Sequence, residues 1–288
     1  MRGDTVVYCL DKMIPGKNGK LSVRCKGLRS DCNNVVVLVQ GANITGQAGY
    51  DLQVPEGEHY SFMDELFRKG VASVTFAVRG YGESELRGDP LLVQTDQAIE
   101  DLSSVVDWLK KEGFHKPHLL GWSWGGRIAG RFLENNSESV DRLILLDPAF
   151  GGGQLILPEP RDAWWDNTYD YFFNRLEAEF TELKTRKALA ELVSSFEPKA
   201  PNGIRQENAL GSTPLDPTVL TRPTLMLYGS AAGDAAYMKG SMLRGDFFEA
   251  VPSEDKALVV ISGGGDYAHI QNPRQKFQHA VASFLLDN

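Results

Sequence analysis

The chain has 288 residues, 42% hydrophobic and 24% charged, which is enough apolar material for a large core and excludes the disordered, collagenous and disulfide-rich classes. Its formal net charge of −8, with no stretch that gathers lysine and arginine on one face, leaves no positive field for a polyphosphate, so no nucleic acid partner is expected. The longest apolar runs, such as Val35 to Val39 and Leu143 to Leu146, fall far below the ~20 residues that span a bilayer, so no membrane span is expected either.

The opening "MRGDTVVYCL" carries an apolar run too short for a secretion signal, and Asp11 and Lys12 follow it at once. Cys9, Cys25 and Cys32 are odd in number and lack C-x-x-C spacing, which points to reduced structural thiols in a cytoplasmic protein. "TVVYCL" and "KLSVRC" read as the strands of an N-terminal hairpin around the turn-rich "DKMIPGKNG". "NNVVVLVQG" is a continuous apolar run suited to a strand buried on both faces, and "HYSFMDELFRKG" spaces Phe62, Leu66 and Phe67 as a helix does. "VASVTFAVRG" repeats the strand, and "QTDQAIEDLSSVVDWLKKEG" is a long helix with Ala98, Leu102, Val105, Val106 and Leu109 on one face.

"KPHLLGWSWGG" then gives a short strand running into a helix near Ser123, and "VDRLILLDPAF" a further buried strand. The alternation predicts a mainly parallel sheet with helices on both sides. From Gly151 to about Leu215 the rhythm breaks into mostly helical periodicity, opened by Gly-Gly-Gly and closed by a Pro- and Gly-rich stretch. This segment, 151–215, reads as an inserted helical cap able to move relative to a core made of 1–150 and 216–288. The β-α pattern resumes in "RPTLMLYG", "KALVVISGGG" and a final helix in "NPRQKFQHAVASFLLD".

The pentapeptide "GWSWG", Gly121 to Gly125, has the G-x-S-x-G form, which means little until its context is right: a strand before, a helix after, and a serine on the strained turn between them. "HLL" and "GGRIAGRFLE" supply that context. The simpler alternative is that Ser123 only caps a helix. With the motif, the alternating core, the insertion after the sixth strand and the R-G-x-G-x-S turn in "VRGYGES", the chain resembles the α/β-hydrolase superfamily, in particular its serine-nucleophile members with a helical cap.

The resemblance implies an α/β-hydrolase fold and a Ser-His-Asp triad in the chain order Ser, Asp, His. Ser123 is the nucleophile. His269, in "ISGGGDYAHIQNP" between the last strand and the last helix, takes the position of the base, in preference to His59, His115, His118 and His279. Asp234, after "PTLMLYGSAAG", is the first choice of acid, although it lies further past Gly229 than is usual. Asp147, ending "LILLD", is the alternative, and carboxylates such as Asp266 remain open. The oxyanion hole should combine the N–H of Trp124 with that of Ala42, in the loop where many relatives have His-Gly and this chain has Gln40-Gly41; Asn43 is a candidate extra donor. Trp122, Asn43, Trp164 and Trp165 are candidates to line the substrate pocket, the last two within an aromatic cluster that also packs the cap.

No G-x-G-x-x-G follows the first core strand and no H-E-x-x-H occurs, so neither a cofactor nor a metal is expected. The expected activity is hydrolysis of a carboxylic ester, thioester or lactone of a bulky, largely apolar small molecule through an acyl-enzyme. A serine at the elbow argues against haloalkane dehalogenase and epoxide hydrolase chemistry, in which resembling enzymes use aspartate. The rivals are an amidase or peptidase of the proline iminopeptidase type, an acyl-transfer or cyclisation enzyme, and a ligand-binding receptor on the same fold.

Overall fold

A computed structural model describes residues 9–29, 32, 34–57, 59–152, 154–155, 159–233, 238–239 and 242–287. The chain opens with β1 (Cys9–Gly16) and β2 (Gly19–Lys26), paired antiparallel from Cys9↔Lys26 to Gly16↔Gly19. The hairpin is as expected, but "DKMIPG" is strand and not turn: Lys17 and Asn18 alone form the connection, closed by Gly19 at φ 131°. A two-residue turn matches the twist of the paired strands, and the added strand length gives Ile14 a buried place in the core.

β3 (Val35–Val39), α1 (Gly46–Tyr50), α2 (Phe62–Arg68), β4 (Ala72–Phe76), α3 (Thr95–Lys111), β5 (His118–Trp122), α4 (Trp124–Asn136) and β6 (Leu143–Leu146) follow. Beyond β6 come β7 (Gln154–Leu155), β8 (Trp164–Asp166), α5 (Tyr169–Arg175), α6 (Leu183–Phe196), β9 (Lys199–Pro201) and α7 (Gly203–Leu210). The chain closes with β10 (Thr224–Gly229), β11 (Met238–Lys239), α8 (Arg244–Ala250), β12 (Lys256–Ile261) and α9 (Arg274–Leu286). Eight strands form one sheet in the order β1-β2-β4-β3-β5-β6-β10-β12, parallel from β4 to β12.

The period-two geometry of a strand explains why these strands are apolar throughout. Val37, Val39, Leu119, Leu143, Leu145 and Met226 belong to one buried cluster with residues of α3, α4 and α8. Val36, Leu38, Leu120, Ile144, Leu146 and Leu227 belong to a second, with residues of α2 and α9. Among the described residues no helix is long and apolar enough to cross a membrane, and Cys9, Cys25 and Cys32 are unpaired thiols.

The insertion is less helical than its periodicity predicts. "WWD" is strand β8, paired with β9, while "GIRQENAL", inside the stretch read as an irregular close, is α7. The segment has no core of its own. Phe172, Leu176, Leu189 and Val193 join the second cluster, and Ala200, Ile204 and Leu215 join the first, so the boundaries at 151 and 215 mark a change in chain topology and not a separate packing unit.

Polar ties cross the same joint. Asn167 Nδ2 donates to Asn43 O at 3.0 Å and to Glu197 O at 2.8 Å, and the Glu197 carboxyl accepts from Thr45 N at 2.7 Å and from the Thr45 hydroxyl. They oppose the free movement expected from its glycine- and proline-rich ends. Burial pushes the Glu197 carboxyl up to about 7, against the two hydrogen bonds from Thr45. Between its unfolded pKa near 4.3 and its raised folded value the native state holds the extra proton, so this group makes stability fall as pH rises through that window, by at most about 1.4 kcal/mol per pH unit. Glu197→Gln is therefore expected to flatten the decline in urea midpoint between pH 5 and pH 8. Parallel wild-type and variant curves would contradict this assignment.

Candidate active site

At the end of β5 the chain turns without a loop: Ser123 adopts φ 55° and ψ −117°, and α4 begins at Trp124. Such a conformation costs a non-glycine residue of order 1 kcal/mol and persists only where the surroundings dictate it. The flanking glycines make it possible. A Cβ on Gly121 would stand 2.1 Å from Gly125 O, one on Gly125 would stand 2.3 Å from Val39 O, and one on Gly126 would stand 2.8 Å from Pro148 Cβ. The elbow is thus packed backbone to backbone against the end of β3 and the residues after β6. Ser123 N donates to Leu146 O at 2.9 Å, and Ser123 O accepts from Gly126 N and Ala149 N, each at 3.0 Å. The main chain is fixed while the side chain makes no capping bond, so the helix-cap alternative does not hold.

Ser123 opens into a cavity of ≈ 170 Å³. Asp147 lines the same cavity: β5 and β6 pair up to Trp122↔Leu146, and Ser123 and Asp147 are the residues that follow that last rung. Asp147 also has a positive φ, 43°, and its N–H donates to Leu227 O at 2.7 Å. Asp266, from the loop after β12, faces the Asp147 carboxyl within hydrogen-bonding reach. The Trp122 indole N–H donates to Asp266 O at 2.9 Å and pins this loop over the elbow strand.

Each carboxyl group also meets a guanidinium. Arg244, the first residue of α8, pairs with Asp147 and donates to Ala232 O at 2.7 Å, while Arg175, the last residue of α5, pairs with Asp266 at 2.5 Å. Burial raises the Asp147 carboxyl to about 7; the Arg244 charge opposes the rise and the Asp266 charge adds to it. The Asp147 carboxyl thus stays harder to ionise than an exposed aspartate, because it is buried and faces a second carboxyl.

The His269 imidazole makes no hydrogen bond to Ser123 and does not line its cavity, so the expected Ser123–His269 contact is not formed. The imidazole is fully buried, with ring centroids 4.6 Å from Trp122, 5.6 Å from Tyr50, 6.0 Å from Phe277 and 6.2 Å from Tyr267. Neither ring nitrogen makes a well-formed hydrogen bond, and desolvation lowers the pKa to about 3, with the Gly49 backbone opposing. His269 packs against Trp122 and Tyr267, which line the cavity while His269 does not. Asp234 lies outside the described residues.

Gly41, Ala42 and Asn43 line the cavity, as does Trp122. Tyr81 Oη donates to Ala42 O at 2.7 Å and holds the peptide that follows, a role in the "VRGYGES" turn that the sequence does not announce. Gln40 is buried and accepts from Val78 N at 3.0 Å. Asn43 is engaged elsewhere: its Nδ2 donates to Tyr171 Oη at 3.2 Å and its Oδ1 accepts from Arg205 at 2.8 Å. The Trp124 indole is buried and donates to Thr95 Oγ1 at 3.0 Å, which leaves only its main chain near the cavity, in the helix's first turn where N–H groups lack intrahelical partners. Trp164 and Trp165 line a different, outer cleft of ≈ 810 Å³ that shares Tyr171 with the inner one.

A family model described as the alpha/beta hydrolase family matches residues 36–279. Epoxide hydrolase 4 of Mus musculus is 26% identical over 214 residues, 64% of this chain and 58% of that protein. The 2-hydroxy-6-oxononadienedioate/2-hydroxy-6-oxononatrienedioate hydrolase of Escherichia coli is 30% identical over 142 residues, 46% of this chain and 44% of that protein. The chain thus spans roughly half the length of these curated relatives. Among solved structures, an esterase from Exiguobacterium antarcticum superposes with a TM-score of 0.68, covering 96% of this chain and 99% of that one at 18% identity, a likeness of fold. The matched stretch runs from β3 into α9 and takes in the elbow and its cavity, and the chain belongs to the alpha/beta hydrolase family.

Proposed function

We propose that the chain is a serine hydrolase that opens a carboxylic ester, or a related thioester or lactone, of a small anionic molecule through an acyl-enzyme on Ser123. The observation that carries this reading is the serine at φ 55°, without a capping bond, opening onto a cavity shared with Gly41, Ala42 and two carboxyl groups. Ser123 Oγ attacks the acyl carbon, and the N–H groups of Trp124 and Ala42 receive the developing oxyanion, a contribution of about 3 kcal/mol per donor in comparable sites. Water then releases the acid. A serine in place of aspartate separates this chemistry from that in the mouse relative's name.

A bulky, apolar substrate fits the cavity less well than a short anionic one. A volume of ≈ 170 Å³ suits a short acyl group, and the guanidinium groups of Arg175 and Arg244, each paired with a carboxyl of the same cavity, stand around it with the Tyr171 hydroxyl as polar contacts. The Escherichia coli relative is named for a dioate, which supports an anionic substrate here. In this reading the insertion acts as a cap, and the outer cleft at Trp164 and Trp165 receives whatever part of the substrate extends beyond it.

A fluorophosphonate probe is expected to label Ser123. Between p-nitrophenyl esters of equal chain length, a hemisuccinate should show a kcat/KM at least about tenfold above that of the neutral butyrate, a difference that one charge-assisted contact of about 1.5 kcal/mol supplies. Arg175→Gln should erase most of that preference. Equal rates for the two esters, or a preference for the neutral one, would count against an anionic substrate. The seclusion of His269 favours one second reading, a ligand-binding protein without turnover; it predicts an unlabelled Ser123 and no release of p-nitrophenol.

A further inference from the structure

None of the chain's five histidines lines the Ser123 cavity. His115 and His279 are exposed, His118 is at the far end of β5, His59 is bound to Glu65, and His269 lies in its nest of rings. A serine hydroxyl still needs a group to take its proton. Among the described residues, the titratable side chains around the cavity are Asp147, Asp266, Arg175, Arg244, Tyr171 and Tyr267. Of these, the two aspartates are the proton acceptors, and burial raises the Asp147 carboxyl.

We infer that the Asp147–Asp266 carboxyl pair, steadied by Arg244 and Arg175, is the general base and acid for Ser123 and works without an imidazole. The inference rests on the hydrolase reading above. Ser123 and Asp147 each follow the last β5–β6 rung, Trp122↔Leu146, both line one cavity with Asp266, and each carboxyl is oriented by its own guanidinium from a different element, α8 or α5. The charged and titratable groups facing the pair are Arg244, Arg175, Tyr171 and Tyr267, with Glu177 next to Gly265 behind the loop. The upward displacement of Asp147, to about 7, matches what such a base requires.

The proton inventory closes on these groups alone. The ionised member takes the Ser123 hydroxyl proton as the Oγ–C bond forms, and the pair gives a proton to the leaving alkoxide as the C–O bond breaks. In deacylation the pair takes a proton from water as its oxygen bonds the acyl carbon, then returns one to Ser123 Oγ as the Oγ–C bond breaks. The cycle ends with the pair in the protonation state in which it began.

The test compares Asp147→Asn, Asp266→Asn and His269→Gln in the full chain, with p-nitrophenyl acetate turnover expressed per correctly folded molecule and the rate of fluorophosphonate labelling followed alongside. Each asparagine variant should lower both rates at least 100-fold, and the glutamine variant should stay within threefold of wild type. The wild-type labelling rate should rise with pH through an inflection near neutrality while the His269 imidazole, followed by NMR, remains neutral from pH 5 to pH 8. This second measurement needs no variant to fold. A His269 that titrates together with the rate, or a 100-fold loss in His269→Gln beside asparagine variants within threefold of wild type, overturns the inference but leaves a labelled Ser123 and the hydrolase reading standing. A Ser123 that the probe never labels removes the hydrolase reading, and this inference falls with it.

Discussion

Ser123→Ala is expected to lower ester turnover by at least about three orders of magnitude and leave the thermal midpoint nearly unchanged, because the attacking group is lost while the fold loses no hydrogen bond. The companion substitution separates chemistry from strain. At φ 55° and ψ −117° both serine and alanine are held in a region that suits glycine, so Ser123→Gly should be equally inactive yet more stable by about 1 kcal/mol, after allowing for glycine's greater freedom when unfolded. A chemical denaturation series on the three proteins checks both parts. Wild-type turnover in folded Ser123→Ala would remove Ser123 from the mechanism. A glycine variant less stable than the alanine variant would show that the elbow is not strained.

The elbow was legible because the residues that permit it are consecutive, although the backbones they pack against come from β3 and the end of β6. Five residues set the strand end, the two close glycine contacts and the serine, and the neighbouring runs give the strand and helix that frame it. The central strands were legible for a related reason: burial on both faces leaves an uninterrupted apolar run. Short elements such as α1 and α8 have too few turns to impose a period; α1 takes its form from the Thr45 cap and α8 from the packing of Arg244 and Phe247.

His269 stands away from the cavity for a geometric reason. Position in the loop after β12 was legible, but which residue of "DYAHI" turns toward the elbow was not. The loop coils through successive turns, with Ala268 N on Gly265 O and Ile270 N on Tyr267 O, and this phase sends Asp266 to the cavity and His269 against Trp122. Arg175 and Arg244 carried no signal, since they reach the site from α5 and α8 across long sequence separations and no motif marks them.

The tie between the insertion and the elbow helix should be the costliest to cut. Arg127 on α4 is 1% exposed, and its guanidinium donates to Glu207 at 3.2 Å, to Asn208 Oδ1 at 3.1 Å and to Ala149 O at 3.0 Å. Glu207, on α7, also accepts from Thr95 N at 2.7 Å and from the Thr95 hydroxyl, which in turn accepts from the Trp124 indole beside the nucleophile. Glu207→Leu removes a carboxylate that both Arg127 and Thr95 use inside the protein, a break in a buried network that typically costs about 3–5 kcal/mol, and in a chain of this size the midpoint should drop by about 6–15 °C. Arg127→Met combined with Glu207→Leu should recover part of the loss, because an apolar pair carries no desolvation cost, although the Thr95 donors stay unpaired. Turnover per folded molecule should fall in the single variant, as the helix that presents Ser123 loses its brace. A midpoint within about 2 °C of wild type for Glu207→Leu would mean that α7 is loosely held, and that the insertion moves as its glycine- and proline-rich ends suggest.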